Sequence, residues 1–428
     1  MTFKLNPTLD NAVYSHKNKD IPLKYLKMCI LFSLCLSLYL NAVEKPTTLG
    51  DSSERFNNSN KQASAEIQIL WKKSGSLPAP EGFLESLGVS AAYTAFLGDY
   101  LIVAGGANFP KGHPVFQNGQ KEYYSDIFVF DVSNDQLKLV SNGHLPIKSG
   151  YGATVVVGNS LYLVGGQNNE QALDSIIKLT LDDNQVPITE VIAKLPFTWA
   201  LGSAAWQNNA LYLFAGQQNT KPTNKVCRFS FEKGTCINAE DTPAIPGVNR
   251  VQFPSINHNG LFYIFGGMNF EGEKDEYVLT DSYAFDFKSK SWQVLSPTTL
   301  DGKAFAVTGG GVASLSSNKL LLLGGVNKKI FDHAIYQLGS LQNEELNEFK
   351  QAYFAMEPKD FHFSHRQVIY NIKENSWDVS SDDVPFPGGA GPLNIEQKEN
   401  KVFWISGEVK PVIRSPIVYQ GTVSIMNN

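Results

Sequence analysis

Cysteine is scarce in this 428-residue chain, and positive charge is not in excess. Net charge is −5 and no basic run occurs in the body of the chain, which gives no support to nucleic-acid binding, a function that needs a basic surface. Gly-x-Ser-x-Gly elbows and phosphate-cradling glycine loops are also missing. Long helical patterns are few. Long apolar runs are absent outside residues 28–42, so the mature chain has no stable membrane span in its sequence. Outside that run the cysteines are Cys227 and Cys236, flanking a hairpin turn at Lys233-Gly234. They could pair in an oxidising compartment. The simple hairpin register does not set them opposite each other, so a disulfide and two half-buried thiols both stay open.

Residues 28–42 (MCILFSLCLSLYLNA) follow Lys17, Lys19, Lys24 and Lys27 and end in Leu40-Asn41-Ala42, a passable cleavage site. This is the outline of a secretory signal peptide, too short for a comfortable membrane span. Residues 1–42 are therefore read as a signal peptide or N-terminal apolar segment. Residues 43–65 are polar and read as a flexible linker.

What the chain has in abundance is a repeat. Six apolar strands end in small residues: Tyr100–Gly106, Leu161–Gly166, Leu211–Gly216, Leu261–Gly267, Leu320–Gly325 and Val402–Gly407. Each follows a shorter β-like run and precedes an alternating strand such as Asp126–Val132, Asp281–Phe287 or Gln367–Ile372. A fourth strand often carries tryptophan, as in Ser291–Leu295 and Ser376–Ser380. Four strands recurring every 50–60 residues or so are kelch-type propeller organisation. The predicted fold is all-β, a six-bladed kelch-type β-propeller over residues 66–428. The last blade lacks a fourth strand at the C-terminus; Glu66–Gly75, with Trp71 at the tryptophan position, completes it and closes the ring.

Loops after strands two and four emerge on one face, where function tends to sit. The long ones run from Ala107 to Tyr124, Met268 to Thr280 and Val326 to Arg366; the last contains a predicted helix at Gln342–Met356 that could form a lid or wall. Behind the sixth small pair stand a carboxylate, an ammonium and a guanidinium, Glu408, Lys410 and Arg414. Glu408 suits general-base work and Arg414 offers a planar fork for a carboxylate ligand; the structural reading is an ion pair tying the loop down. Arg250 could add a second cation, or else bond to neighbouring backbone, and Lys410 is expected among the substrate-binding groups. Asn108, Phe109, Tyr123, Tyr124 and Asn327 suit sugar binding by hydrogen bonds and stacking, and suit loop packing equally. His362 and His365 have metal-like spacing without a third ligand in view, so no metal site is predicted.

The run Gly407-Glu408-Val409-Lys410-Pro411-Val412-Ile413-Arg414 resembles the Gly-Glu-Ala-Lys-Pro-Gly-Leu-Arg signature of bacterial N-acetylneuraminate epimerases, the sialic acid mutarotases. Gly105-Gly106-Ala107-Asn108-Phe109 with Gln117-Asn118-Gly119 and Tyr124–Ile127 is similar to a second family motif, and Gly324–Asn327 with the insert after it to a third. Blade order differs: the Ala-Asn-Phe blade comes first and the Glu-Lys-Arg blade last, as in a cyclically permuted branch. Val412 stands where the signature has glycine. The resemblance implies interconversion of α- and β-anomers of N-acetylneuraminate in the periplasm, with Glu408 as proton acceptor, Arg414 as the essential arginine, and neither metal nor organic cofactor.

Other classes fit less well. A sialidase needs repeated Ser-x-Asp-x-Gly-x-x-Trp boxes, an arginine cluster and a tyrosine nucleophile, and no such box occurs. A copper oxidase on a kelch ring is disfavoured by the shortage of cysteine and histidine near the mouth. A non-catalytic kelch module binding a glycan or protein, or a mutarotase for another acidic sugar, remains the alternative.

Overall fold

The computed structural model describes residues 66–426 apart from 238–241, 301, 387 and 397; the expected signal peptide and linker lie outside the described residues. Each small-residue-terminated strand sits second in a four-stranded antiparallel sheet. Blade one joins Tyr93–Leu97, Tyr100–Ala104, Asp126–Asp131 and Lys138–His144. Blades two to five repeat the order, opening on Ala153–Val157, Ser203–Gln207, Ser255–His258 and Gly311–Ser316. Blade six joins Leu393–Glu396, Lys401–Ile405 and Ile417–Met426, and its outer strand is the N-terminal Glu66–Ser76. The expected closure is therefore present. The opening strands touch in sequence around the ring, and the sixth touches the first.

The sequence pattern follows from layer. Second strands lie between neighbouring blades, so Ala210–Phe214 and Lys401–Ile405 are buried at every position and, Lys401 apart, read as continuous apolar runs. Outer strands such as Lys138–His144 face water and are polar or alternating. Fourth-strand tryptophans lock one blade to the one before it. Trp292 Nε1 donates to Pro243 O, Trp377 Nε1 to Ser296 O and Trp71 Nε1 to Gln367 Oε1. The outer strands of blades one, two and three carry no such tryptophan, and the short one of blade three, Thr235–Ile237, is joined by a Cys227–Cys236 disulfide. The bridge is diagonal: Cys236 pairs with Phe229, two residues from Cys227, and the Cα atoms are 5.3 Å apart.

The loops between blades are joined by backbone. Tyr151 N–H donates to Ala91 O, Leu201 to Tyr151, Gln252 to Leu201, Gly309 to Gln252 and Gly391 to Gly309, a relay that links all six blades. Ala91, Tyr151, Leu201 and Gln252 hold φ between 53° and 63° to do so, an uncommon region for residues with a Cβ. The relay fixes the rim on which the site is built.

The insert after the fifth glycine pair carries two helices, α1 (Lys328–Ser340) and α2 (Asn343–Ala355), where one was expected. Phe331, Ala334, Ile335 and Leu338 make a buried stripe along α1. Its inner end is anchored by Asp332, which accepts from Val278 N–H at 2.7 Å and pairs with Lys328 at 2.6 Å. Phe331, Tyr353 and Phe354 pack over Val251, Met268 and Val326, so the helices stand as a wall on the mouth of the ring. Among the described residues no helix is long and apolar enough to cross a membrane.

Candidate functional site

One position recurs in every blade: the residue after the small pair, which pairs with the loop before its own blade. These residues are Ala107, Gln167, Gln217, Met268, Val326 and Glu408. Glu408 is the single acid among the six, and its N–H donates to Ala390 O at 2.7 Å. The backbone there is closed to a side chain. Gly407 has φ 99°, and a Cβ on it would lie 2.3 Å from Ala390 O. Ser406 stands where blades one, two, four and five have the first glycine of the pair. Its Oγ accepts from Val89 N–H at 2.9 Å and lies 2.7 Å from Ser415 O, stitching the loop to blade one.

From Glu408 the chain runs out and back as a ribbon, Glu408–Lys410 against Ile413–Arg414, which sets Glu408 opposite Arg414. Pro411 and Val412 make the turn, with Val412 at φ 77°. A valine thus adopts the conformation that the glycine of the signature would supply freely, and Arg414 reaches its place. Arg414 Nη2 lies 2.5 Å from Glu408 Oε1, and the two side chains are only 2% and 10% exposed. Arg414 Nε and Nη2 also donate to Ser90 Oγ at 3.2 and 3.0 Å, and the guanidinium sits 5.0 Å above the Phe109 ring. Arg414 Nη1 is buried and has no hydrogen-bond partner among the described residues.

Glu408, Arg414 and Phe109 form one wall of a narrow, partly enclosed pocket of about 40 Å³. The opposite wall is Ala334, Ile335 and Leu338 of α1 with Tyr353 and Phe354 of α2. The lining is of the kind a small-molecule site has: apolar walls with a few convergent charged groups. Burial, and then the Glu408 carboxylate, push the Tyr353 phenol far above the usual tyrosine range, so it is neutral.

Five expected ligand groups are used otherwise. Lys410 Nζ donates to Phe354 O and Met356 O, capping α2 and tying the wall to the Glu408 loop. Arg250 is fully buried; it donates to Gly266 O and forks onto both carboxylate oxygens of Asp281, as its structural reading held. Asn108 and Tyr124 bond each other at 2.6 Å, and Asn108 Nδ2 donates to Gly88 O, so they brace the first loop. Asn327 is the N-cap of α1, accepting from Ile330 N–H. His362 and His365 line an open groove beside Arg366 and Asp383, away from the pocket, and no metal-holding cluster occurs among the described residues.

Two residues escaped the sequence reading. Tyr151 and Lys121 are each 6% exposed, and Lys121 Nζ donates to Tyr151 Oη at 2.8 Å. Tyr151 Oη lies 3.4 Å from Ser90 Oγ, the same oxygen that Arg414 holds. Burial draws the Lys121 ammonium below its usual range. Burial alone would raise the Tyr151 phenol, but the Lys121 and Arg414 cations outweigh it and hold the phenol below an ordinary tyrosine. A tyrosine between two glycines in a blade-to-blade loop was the available signal.

Residues 90–325 match the KLHDC2/KLHL20/DRC7 kelch-repeats domain, and residues 234–427 match N-acetylneuraminate epimerase. A Yersinia pestis (strain Pestoides F) protein named N-acetylneuraminate epimerase is 34% identical over 180 residues, 41% of this chain and 44% of the relative. A Salmonella typhi protein of the same name is 31% identical over 185 residues, 42% of this chain and 46% of the relative. The chain thus matches less than half the length of these curated relatives. A solved structure of YjhT superposes with a TM-score of 0.56 at 14% identity, covering 82% of this chain and 99% of that one; it shows the shared fold.

Proposed function

The chain belongs to the kelch-repeat family, and from that premise we propose that it is a mutarotase interconverting the α- and β-anomers of N-acetylneuraminate. The carrying observation is the buried Glu408–Arg414 pair, with Arg414 Nη1 unpartnered among the described residues, on the wall of a partly enclosed pocket. An unsatisfied buried guanidinium N–H is costly unless a ligand completes it, and a sugar carboxylate has the charge and planarity to do so. The match of residues 234–427 to N-acetylneuraminate epimerase supports the same reading. So does its half-length extent, since a cyclic shift of blade order interrupts a collinear alignment.

The chemistry follows from the placement. Arg414 binds the substrate carboxylate and holds Glu408 in place through Oε1. The second Glu408 oxygen takes the proton of the anomeric hydroxyl, the ring opens to the keto form, and closure on the other face gives the other anomer. The apolar wall of α1 and α2 excludes water around the pair and strengthens both interactions. Residues 28–42 and the Cys227–Cys236 bridge support export to an oxidising compartment, the periplasm.

Proton NMR of freshly released α-N-acetylneuraminate tests this directly. The protein should speed the approach to the β-anomer and leave glucose mutarotation, which offers no carboxylate, at its spontaneous rate. Acceleration of a different acidic ketose alone would reassign the substrate; acceleration of none would sink the enzyme reading.

A further inference from the structure

The gap between the two walls of the site, about 40 Å³, has room for water but not for a sugar acid. Pockets that bury a small molecule run to roughly 300–1,000 Å³. One wall therefore has to yield before a ligand reaches Arg414. We propose that the α1–α2 hairpin is a gate that stands shut over the empty site, and that Lys410 is its latch. The identity of the ligand rests on the mutarotase reading above; the latch does not.

The ring side of the gap is the fixed side. Gly407 N–H donates to Val89 O at 3.1 Å and Glu408 N–H to Ala390 O at 2.7 Å, while Arg414 donates to Ser90 Oγ. Each of these bonds, once broken inside the protein, leaves a polar group unpaired. The helical side meets the gap with apolar side chains, Phe331, Ala334, Ile335 and Leu338 of α1 and Tyr353 and Phe354 of α2. Contacts of that kind are non-directional, so this surface can tilt away without stranding a hydrogen-bonding group.

The two roots of the hairpin are held differently. At the start of α1, Asp332 accepts from Val278 N–H, and Lys328 Nζ donates to Asp332 and to the carbonyls of Asp275 and Val278. The Asp332 side chain is only 2% exposed, and this root is the pivot. At the end of α2 the tie comes from the ribbon that carries Glu408. Lys410 Nζ donates to Phe354 O at 3.1 Å and to Met356 O at 2.7 Å. Carbonyls at a helix C-terminus lack intrahelical donors and attract a cation, so an ammonium suits them. One of the two carbonyls belongs to Phe354 itself, so the latch holds a ring of the gap's lining in place. Lys410 is half-buried, and water can take over its bonds when the wall lifts.

A site that is shut when empty lowers the fraction of molecules able to bind, and apparent affinity falls by that fraction. Removing the latch should therefore help binding. Removing a lysine that held the sugar itself would weaken it, and the two roles part in sign.

The test compares the unaltered protein with Lys410→Met, which keeps the aliphatic stem without the donors, and with Lys410→Arg, which keeps donors. Circular dichroism confirms folding. Amide hydrogen exchange is followed along α2 in the sugar-free protein, and association of N-acetylneuraminate by stopped flow. In Lys410→Met the α2 amides should exchange about tenfold faster while the blade strands stay as they were. Association should quicken by about tenfold, with Kd no higher than before. Lys410→Arg should restore both slow rates. Unchanged α2 exchange in folded Lys410→Met overturns the latch. Faster α2 exchange without faster association overturns the gate and leaves Lys410 a cap alone. A Kd at least tenfold higher, with association no faster, makes Lys410 a sugar ligand and overturns the proposal. Absence of binding by the unaltered protein overturns the sugar reading, and α2 exchange then decides the latch by itself.

Discussion

Arg414 holds Ser90 and Glu408 at once: Nη2 is 3.0 Å from the Ser90 hydroxyl and 2.5 Å from the carboxylate, which joins blade six to the loop before blade one. Only a planar fork can span both and still leave Nη1 for a ligand. Arg414→Lys is therefore expected to keep the fold but to raise the KM for a sugar acid at least tenfold, roughly one charge-assisted hydrogen bond. Arg414→Ala leaves a buried carboxylate unpaired and should cost about 3 kcal/mol of stability as well. Titration calorimetry and denaturant melts check both; equal KM in Arg414→Lys would count against carboxylate capture.

Arg250 looked like a second ligand cation and is instead fully buried against Asp281 and two backbone carbonyls. Removing one partner of such a pair destabilises by about 3 kcal/mol. Arg250→Ala should lower the melting temperature while exchange per folded molecule stays unchanged. A specific loss of kcat in folded protein would place Arg250 in the site after all.

Val412 sits at φ 77°, where a β-branched residue is strained by about 1–2 kcal/mol. Elsewhere glycine is the less stable choice against alanine. Here the order should invert: Val412→Gly should melt above Val412→Ala, and both should keep Arg414 in place and exchange active. The usual order would mean that the turn does not hold a left-handed residue.

His113 packs its ring against Phe116 and Phe354, and its Nδ1 accepts from Val115 N–H. Burial, and then the Lys410 charge, lower its pKa from 6.5 to about 4. The unfolded chain thus takes up this proton first as pH falls. Stability from His113 is complete above 6.5 and is lost towards 4, by on the order of 2–3 kcal/mol. His113→Asn, which keeps an acceptor for Val115, should melt with less difference between pH 7 and pH 5, values chosen on roughly either side of the unfolded imidazole pKa.

The ring was legible in the sequence because second strands are buried on both faces and end where a side chain will not fit. Six such strands and an N-terminal tryptophan strand determine the blade count and the closure. Glu408, Arg414 and Phe109 were legible because they follow those strands directly. Helix α1 was missed although its stripe from Phe331 to Leu338 has helical spacing, since Asn327 was read as a sugar ligand and not as a cap. Lys410 was taken for a ligand because nothing local shows that two carbonyls of α2 arrive above it. Tyr151 and Lys121 meet only in the folded blade: the tyrosine comes from a blade-to-blade loop and the lysine from a strand-two loop 30 residues away. Lining up the residue after each small pair would have isolated Glu408 on sequence alone.

The most direct test of the account is the anomer-exchange rate of Glu408→Gln, an isosteric change, against the unaltered protein at saturating N-acetylneuraminate. The rate should fall by about 10²–10⁴-fold while calorimetry still shows the sugar bound through Arg414. A folded Glu408→Gln protein that exchanges anomers as fast as the original would contradict the assignment of Glu408 as the base.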